Sequence, residues 1–516
     1  MSHPNLRTVA GVVEFHAGRT PATPAIVCSG RSLTYAELHG NSNRIAHAIT
    51  AAGLRPGSRI AYLGKESEHY YEILFAAAKS ATVLVPVNWR LTAAEVDHIL
   101  RDSGTELLFV ESALVDVARK VQTDLPQLAT IIELDGLAAW QAGQPDTDLA
   151  PGTGQDDPIV QLYTSGTTGL PKGVVLAQRS FFAIRDALAG EGLDWIDWRA
   201  GDRSLIGIPG FHVGGIWWAM QGFNAGITNV AMPRFDSADA VRLISEQGIT
   251  TICVVPAMLR LLLAEPDVAP ADFATVRKIV YGGSPISETL LAEAIRICGA
   301  DFAQIYGLTE TGNTAVCLPP ADHQPGSHRL RAAGRPYPGV QAKIIDQAGN
   351  SLPVGEVGEV CLRTPARMLE YWANPAATAQ ILVDGWIHTG DAGYLDQDGY
   401  VYISDRLKDM IIVAGEKIYP TEIEHALSKH PAVAEAAVIG IPDEKFGEAV
   451  CAFVAPRPGR QVGPRELLLF LKDSLAAFKI PARFEFVDAV PRNPSGKILR
   501  RELRDRFWRG RNRQVN

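Results

Sequence analysis

Alternation is the feature that most constrains the fold. Through the first 330 residues, short apolar runs take turns with capped helical segments. "LTYAELHGNSNRIAHAITAAGL" places Thr34 three residues before Glu37, a capping box ahead of apolar residues at helical spacing. "SRIAYLG" then has the pattern of a strand, "SEHYYEILFAAAKSA" that of a helix, and "TVLVPV" that of a buried strand. "LTAAEVDHIL" repeats the capping box with Thr92 and Glu95, and "ELLFVES" supplies another strand. Strands and helices interleaved in this way imply βαβ units and a largely parallel sheet. Further on, "ITTICVVP", "VRKIVYGG" and "DFAQIYG" are three more strands, and ligands usually bind at the carboxyl ends of such strands.

Past residue 330 the pattern changes. "VQAKIIDQAGNSLPVGEVGEVCLR" alternates apolar and polar residues around Gly-rich turns, which predicts antiparallel hairpins. "TEIEHALSKHP" predicts a helix capped by Thr421 and Glu424 and stopped by Pro431. A chain of 516 residues is too long for one ordinary core. The expected organisation is an α/β protein with a large N-terminal domain over 1–405, made of mixed sheets flanked by helices plus a β-rich subdomain. A small α+β C-terminal domain covers 409–516, with a boundary at 405–408. The polar stretch 140–158 is expected to be a surface loop.

Composition narrows the function. Hydrophobic residues make up 47% and charged residues 21% of the chain, and the formal net charge is -8, which disfavours nucleic acid as a partner. Cys28, Cys253, Cys298, Cys317, Cys361 and Cys451 lie far apart with no C-x-x-C pair. That spacing argues against a zinc site and a disulfide framework, and fits a reducing cytoplasm. The start has no basic segment followed by an apolar run, so no secretory signal is read, and no 18-residue apolar span occurs. These features point to a cytoplasmic multidomain enzyme.

The chemistry begins at "YTSGTTGLPKG", residues 163–173. Gly166 to Lys172 has the spacing of a P-loop, but Pro171 replaces its second Gly and Gly173 replaces the Ser or Thr that would hold Mg²⁺. A P-loop also needs a helix to begin at its Lys, whereas Val174–Val175 predicts a strand. The expected geometry is a loop between two strands that closes over a triphosphate.

Four further segments follow in order: "YGLTE" (306–310), "HTGD" (388–391), "SDRLKDMIIVAGEKIYP" (404–420) and "PRNPSGKILRREL" (491–503). With the phosphate loop, they resemble the adenylate-forming superfamily, in its acyl-CoA synthetase branch, over nearly the whole chain. The resemblance implies ATP-dependent ligation of a carboxylic acid to coenzyme A through an acyl-adenylate, releasing pyrophosphate and then AMP, with Mg²⁺ assisting. It implies that Thr164, Ser165, Gly166, Thr167, Thr168 and Lys172 wrap the phosphates. Thr309 contacts the α-phosphate and Glu310 holds the metal. Tyr306 stacks near adenine with Gly283, Ser284 and Pro285 on the other side, and Gly307 leaves room beside the carboxylate. Asp391 takes the ribose hydroxyls and Arg406 reaches the nucleotide.

By the same resemblance Lys497 is the catalytic cation, bridging carboxylate and α-phosphate. The small domain rotates about Lys408 between steps, removing Lys497 and bringing Gly415 to a pantetheine tunnel. Where the family often has "GGEN", this chain has Ala414 and Lys417 in "AGEK". In "FHVGGIWWAMQGF", His212 stands where amino-acid-activating relatives carry Asp, which disfavours an amino acid; it would gate the acyl pocket, with Trp217, Trp218 and Met220 supplying apolar area. An apolar acid follows, with a medium or long fatty acid first and an aryl or cinnamic-type acid second. Loading of the acid onto a carrier protein is the alternative fate. From Lys497 onward the chain holds eight Lys or Arg against two acids, a composition that attracts anionic membrane surfaces weakly.

Overall fold

The computed structural model describes residues 6–149, 153–164, 171–324, 326–413, 416–443, 445–472, 475–492 and 498–509; of Lys408 and Lys417 only the backbone is described. The predicted alternation resolves into two sheets that share one core. In the nine-stranded sheet, Asp301–Tyr306, Lys278–Gly282, Thr251–Val254, Arg203–Ile206, Thr228–Ala231 and Pro24–Cys28 run parallel in that spatial order. Antiparallel strands close both edges. The seven-stranded sheet centres on Arg59–Leu63, flanked in parallel by Val83–Val87 and Leu107–Val110. Its far side carries the antiparallel pair Pro158–Thr164 and Lys172–Ala177. The capping boxes at Thr34 and Thr92 both form, each threonine side chain accepting from the backbone N–H of its glutamate.

Two helices fill the space between these sheets. Glu68–Lys79 is buried at every residue but His69, and Val213–Ala225 is buried from Gly215 onward. A helix apolar all round belongs inside a protein. Its glycines set how closely it packs. A methyl group at Gly215 would lie 2.3 Å from the carbonyl oxygens of Ile208 and Pro209, and one at Gly222 would lie 2.1 Å from Asn229 Oδ1. Phe223 then meets the rings of Tyr71 and Phe75 at centroid distances of 5.1 and 5.2 Å.

The predicted hairpins form the third sheet, in which Gly358–Arg363 lies between Gln341–Ile345 and Trp386–Leu395, all antiparallel. The fourth sheet belongs to the small C-terminal domain and is built around Val433–Asp443 and Gly447–Pro456. The expected cap at Thr421 does not form. Helix Pro420–Ser428 begins with Pro420 in its first turn and has no side-chain cap at Tyr419. Thr421 instead lies inside the helix, with its hydroxyl on Ser404 O and Asp405, and its N–H donating to Asp405 Oδ2 at 2.8 Å. Glu424 turns to Arg500, whose Nη2 lies 2.7 Å from Glu424 Oε2. The spacing was that of a cap, but proline fixed the start two residues earlier.

Arg500 also lies 3.9 Å from Asp405 and 3.7 Å from Asp409, and its side chain is 12% exposed. Removing one partner of such a buried cluster leaves carboxylates without compensation. Arg500→Leu is therefore expected to destabilise the C-terminal domain by about 3 kcal/mol, measured by urea denaturation followed by Trp508 fluorescence.

Candidate active site

The carboxyl ends of adjacent parallel strands place two of the predicted loops side by side. Gly282 pairs with Ile305 in the ladder, so "GGSP" leaves one strand where "YGLTE" leaves the next. Gly282 allows the close approach, since a methyl there would lie 2.5 Å from Ile305 O, and Gly283 turns away with φ of +80°. Gly307 is needed for a similar reason: a methyl there would meet Asn313 O at 2.3 Å.

Glu310 sits in a single helical turn, Thr309–Thr311, and is buried. The hydroxyl of Tyr371 donates to its Oε1 at 2.6 Å, and its own carbonyl accepts from Met368 N at 2.8 Å. Tyr371 lies on a short strand paired with Lys172–Ala177, and its ring centroid is 5.2 Å from Lys172 Nζ. The phosphate-loop lysine and the expected metal-binding carboxylate are thus joined through one tyrosine. Thr164 and Lys172 are cross-strand partners that close the base of the loop. The loop's own Ser165, Gly166, Thr167 and Thr168 lie outside the described residues, as do Gly415 and Lys497, and so does the side chain of Lys408.

The second carboxylate repeats the device. Tyr306 donates from its hydroxyl to Asp391 Oδ2 at 2.7 Å, and Arg406 Nε lies 2.7 Å from Asp391 Oδ1. Asp391 and Arg406 are register partners on neighbouring strands, which aligns guanidinium and carboxylate without a loop. Burial pushes both the Tyr306 and Tyr371 phenols well above their ordinary values, so both remain donors at neutral pH. Burial draws the Arg406 guanidinium down, but Asp391 and its neighbours hold it above its ordinary value.

His212 precedes the buried helix Val213–Ala225, its ring centroid 4.6 Å from that of Phe211. Its Nε2 is buried with no hydrogen-bond partner among the described residues, and burial, aided by Arg90, lowers its pKa to about 4. The Nδ2 of Asn313 is likewise buried and unpartnered, and Asn313 holds a φ of 87°. Its Oδ1 lies 3.6 Å from the position of a methyl built on Gly214, in the first turn of that helix. Two unpaired polar atoms beside a helix N-terminus make a place for an anionic group.

The loop that carries His212 is anchored from behind. Glu66 accepts from Gly210 N at 2.8 Å through Oε2 and from Tyr71 through Oε1, and Tyr70 donates to Gly210 O at 2.9 Å. Burial raises the Glu66 carboxyl to about 7. Sequence reasoning missed Glu66, Asn313 and Tyr371. Only the acid within "GKESEHYY", beside apolar residues, could have drawn notice. The expected aromatic wall divides. Trp217 lines a small cavity of about 60 Å³ with Phe181, Ile184, Leu188, Trp198 and Gln221. Trp218 is fully buried, donating to Leu205 O at 3.2 Å, and Met220 is core.

The AMP-binding enzyme family matches residues 13–372, and the AMP-binding enzyme C-terminal domain matches residues 422–497. The chain is 65% identical to the fatty acid–[acyl-carrier-protein] ligase ScoC of Streptomyces coeruleorubidus, over 100% of this chain and 99% of that protein. It is 37% identical to the long-chain-fatty-acid–CoA ligase FadD13 of Mycobacterium tuberculosis, over 92% and 93% of the two chains. The crystal structure of the anthranilate CoA ligase AuaEII with anthranoyl-AMP superposes with a TM-score of 0.89 at 27% identity, covering 97% of each chain.

The lowered pKa of His212 has a measurable consequence. Between its ordinary 6.5 and about 4, the unfolded chain takes up a proton that the folded ring refuses, so this residue withdraws stability as pH falls through that window. His212→Gln is expected to flatten that part of the stability–pH profile. In the wild type, the His212 ring signals in a two-dimensional NMR titration are expected to stay those of neutral imidazole until the pH nears 4.

Proposed function

This chain belongs to the AMP-binding enzyme family of adenylate-forming ligases, and we propose that it activates a fatty acid with ATP and loads it onto the phosphopantetheine thiol of an acyl carrier protein. The observation that carries the choice of thiol is the 65% identity, end to end, with a fatty acid–[acyl-carrier-protein] ligase, against 37% with a CoA-forming relative. The apolar side chains around Trp217 support an aliphatic acid, and His212 in place of an acidic residue supports one without an ammonium group.

In the first step a carboxylate oxygen attacks the α-phosphorus of ATP, and the bond to the β-phosphate oxygen breaks, so pyrophosphate leaves. Two anions must meet, and the chain offsets their repulsion with positive charge and N–H donors. Lys172, at the base of the phosphate loop, supplies charge to the β- and γ-phosphates. The carboxylate is oriented by the unpaired His212 and Asn313 side chains at the N-terminus of the buried helix. Asp391, pre-aligned by Tyr306 and Arg406, accepts from the ribose hydroxyls. Glu310 suits a hard cation, since Tyr371 engages Oε1 and leaves Oε2 for a further partner. Glu310 would hold a magnesium ion, which would supply charge neutralisation for the pyrophosphate.

In the second step the thiol attacks the acyl carbonyl and AMP leaves. Lys497 serves the first step, and rotation of the C-terminal domain about residues 405–408 admits the thiol for the second. Polar contacts across the domain boundary suit such a motion. Arg260 donates to Ala434 O at 3.0 Å and lies 2.9 Å from Glu435, and His425 lies 3.4 Å from Glu288.

A second reading, ligation to free coenzyme A, is favoured by the likeness to FadD13. The test is pyrophosphate release from MgATP across a panel of fatty and aryl acids, followed by mass spectrometry of products with holo-carrier protein or CoA as acceptor. Acid-dependent pyrophosphate release with acylated carrier protein as the faster product supports the proposal. Acyl-CoA as the faster product supports the second reading, and ADP with phosphate overturns both. Lys497→Ala is expected to lower the adenylation rate by roughly a hundredfold or more. Asp391→Ala is expected to raise the KM for ATP with the acid KM little changed.

A further inference from the structure

The third sheet carries a cluster for which the adenylation chemistry has no use. Cys361 on strand Gly358–Arg363 is the direct cross-strand partner of His388 on Trp386–Leu395, so both side chains stand on one face. Glu359, two residues before Cys361, shares that face. The ligating atoms of Glu359, Cys361 and His388 all lie within 4.8 Å of one another, and His388 Nδ1 is 3.1 Å from Glu359 Oε2. Glu359 Oε1 is held by the Gly390 N–H at 3.0 Å, which leaves Oε2 facing the cluster. The sulfur is fully buried, while the Glu359 and His388 side chains are 21% and 24% exposed. The cluster is therefore closed behind and open to water in front.

We infer that Glu359, Cys361 and His388 form a binding site for a zinc-type divalent cation, with water as the fourth ligand. The donor set is what selects this class: one thiolate, one imidazole and one carboxylate suit zinc or cobalt, while magnesium and calcium take oxygen. Metal–ligand bonds of about 2.0–2.3 Å in a tetrahedron separate ligand atoms by roughly 3.5 Å. The ligand atoms, within 4.8 Å of one another, already stand close to that spacing. The metal takes the place of the Cys361 thiol proton, so binding releases that proton. Lys343, the partner of Cys361 on its other side, has its ammonium 4.5 Å over the Trp386 ring. Its residues are distinct from Glu310, and His388 sits three residues before Asp391 on the same strand.

The test uses the full chain, stripped with a chelator and titrated with Co²⁺ alone. The expected result is one Co²⁺ per chain, with a thiolate-to-cobalt absorption band and the visible bands of a four-coordinate ion, all displaced by Zn²⁺ and untouched by excess Mg²⁺. Cys361→Ser is expected to abolish the thiolate band, and His388→Gln, which keeps a hydrogen bond to Glu359, to weaken binding by at least roughly tenfold. Cys451→Ser, a buried thiol in the other domain, is expected to change nothing. Absence of the band in the wild type, or its survival in a folded Cys361→Ser, overturns the inference.

Discussion

Everything near the active site depends on how closely helix Val213–Ala225 lies between the two large sheets. Its glycines admit the backbone of Ile208–Pro209 and the side chain of Asn229 to distances that no larger residue tolerates. Because the helix is fixed there, its N-terminus with His212 faces the carboxyl ends of the strands, and its next turns form a wall of the apolar cavity. The loop that leads into it is fixed too, since Glu66 accepts from both the backbone of Gly210 and the phenol of Tyr71. A single packed element thus sets the entrance, the wall and the anchoring loop.

Two carboxylates in the site are handled alike. Glu310 and Asp391 each receive a tyrosine hydroxyl, from Tyr371 and Tyr306, and the second oxygen of Asp391 pairs with Arg406. A buried phenol that cannot ionise is a permanent donor, so neither carboxylate depends on solvent for its orientation. With His212 held neutral, fixed positive charge here comes from Lys172 and Arg406, with Arg90 acting on His212. Such preorganised charge suits an enzyme that must bring one anion onto another.

Much of this was legible in the order of residues, because local rules decided it. The capping boxes at Thr34 and Thr92 formed since nothing competed for the threonine hydroxyls, and the strand after Lys172 formed because β-branched Val174 and Val175 continue a ladder. Thr421 failed as a cap because a proline and a distant aspartate outbid the local pattern. The motif residues Tyr306, Glu310, Asp391 and Arg406 could be named from their segments. The link between Glu310 and Lys172 through Tyr371 could not, because that tyrosine comes from a short strand about sixty residues beyond Glu310. The cysteines were the least legible. No spacing rule joins Cys361 to His388, and only the antiparallel register between their strands does.

Those cysteines have one more consequence. All six are free and buried, and the thiols of Cys28, Cys253, Cys298, Cys317, Cys361 and Cys451 are each pushed up by burial. Toward alkylating reagents in mild buffer the native chain is close to mute. A cysteine added on each side of residues 405–408 would react almost alone, so pairs of fluorophores could report the distance between the two parts of the chain during turnover, with no native thiol first removed.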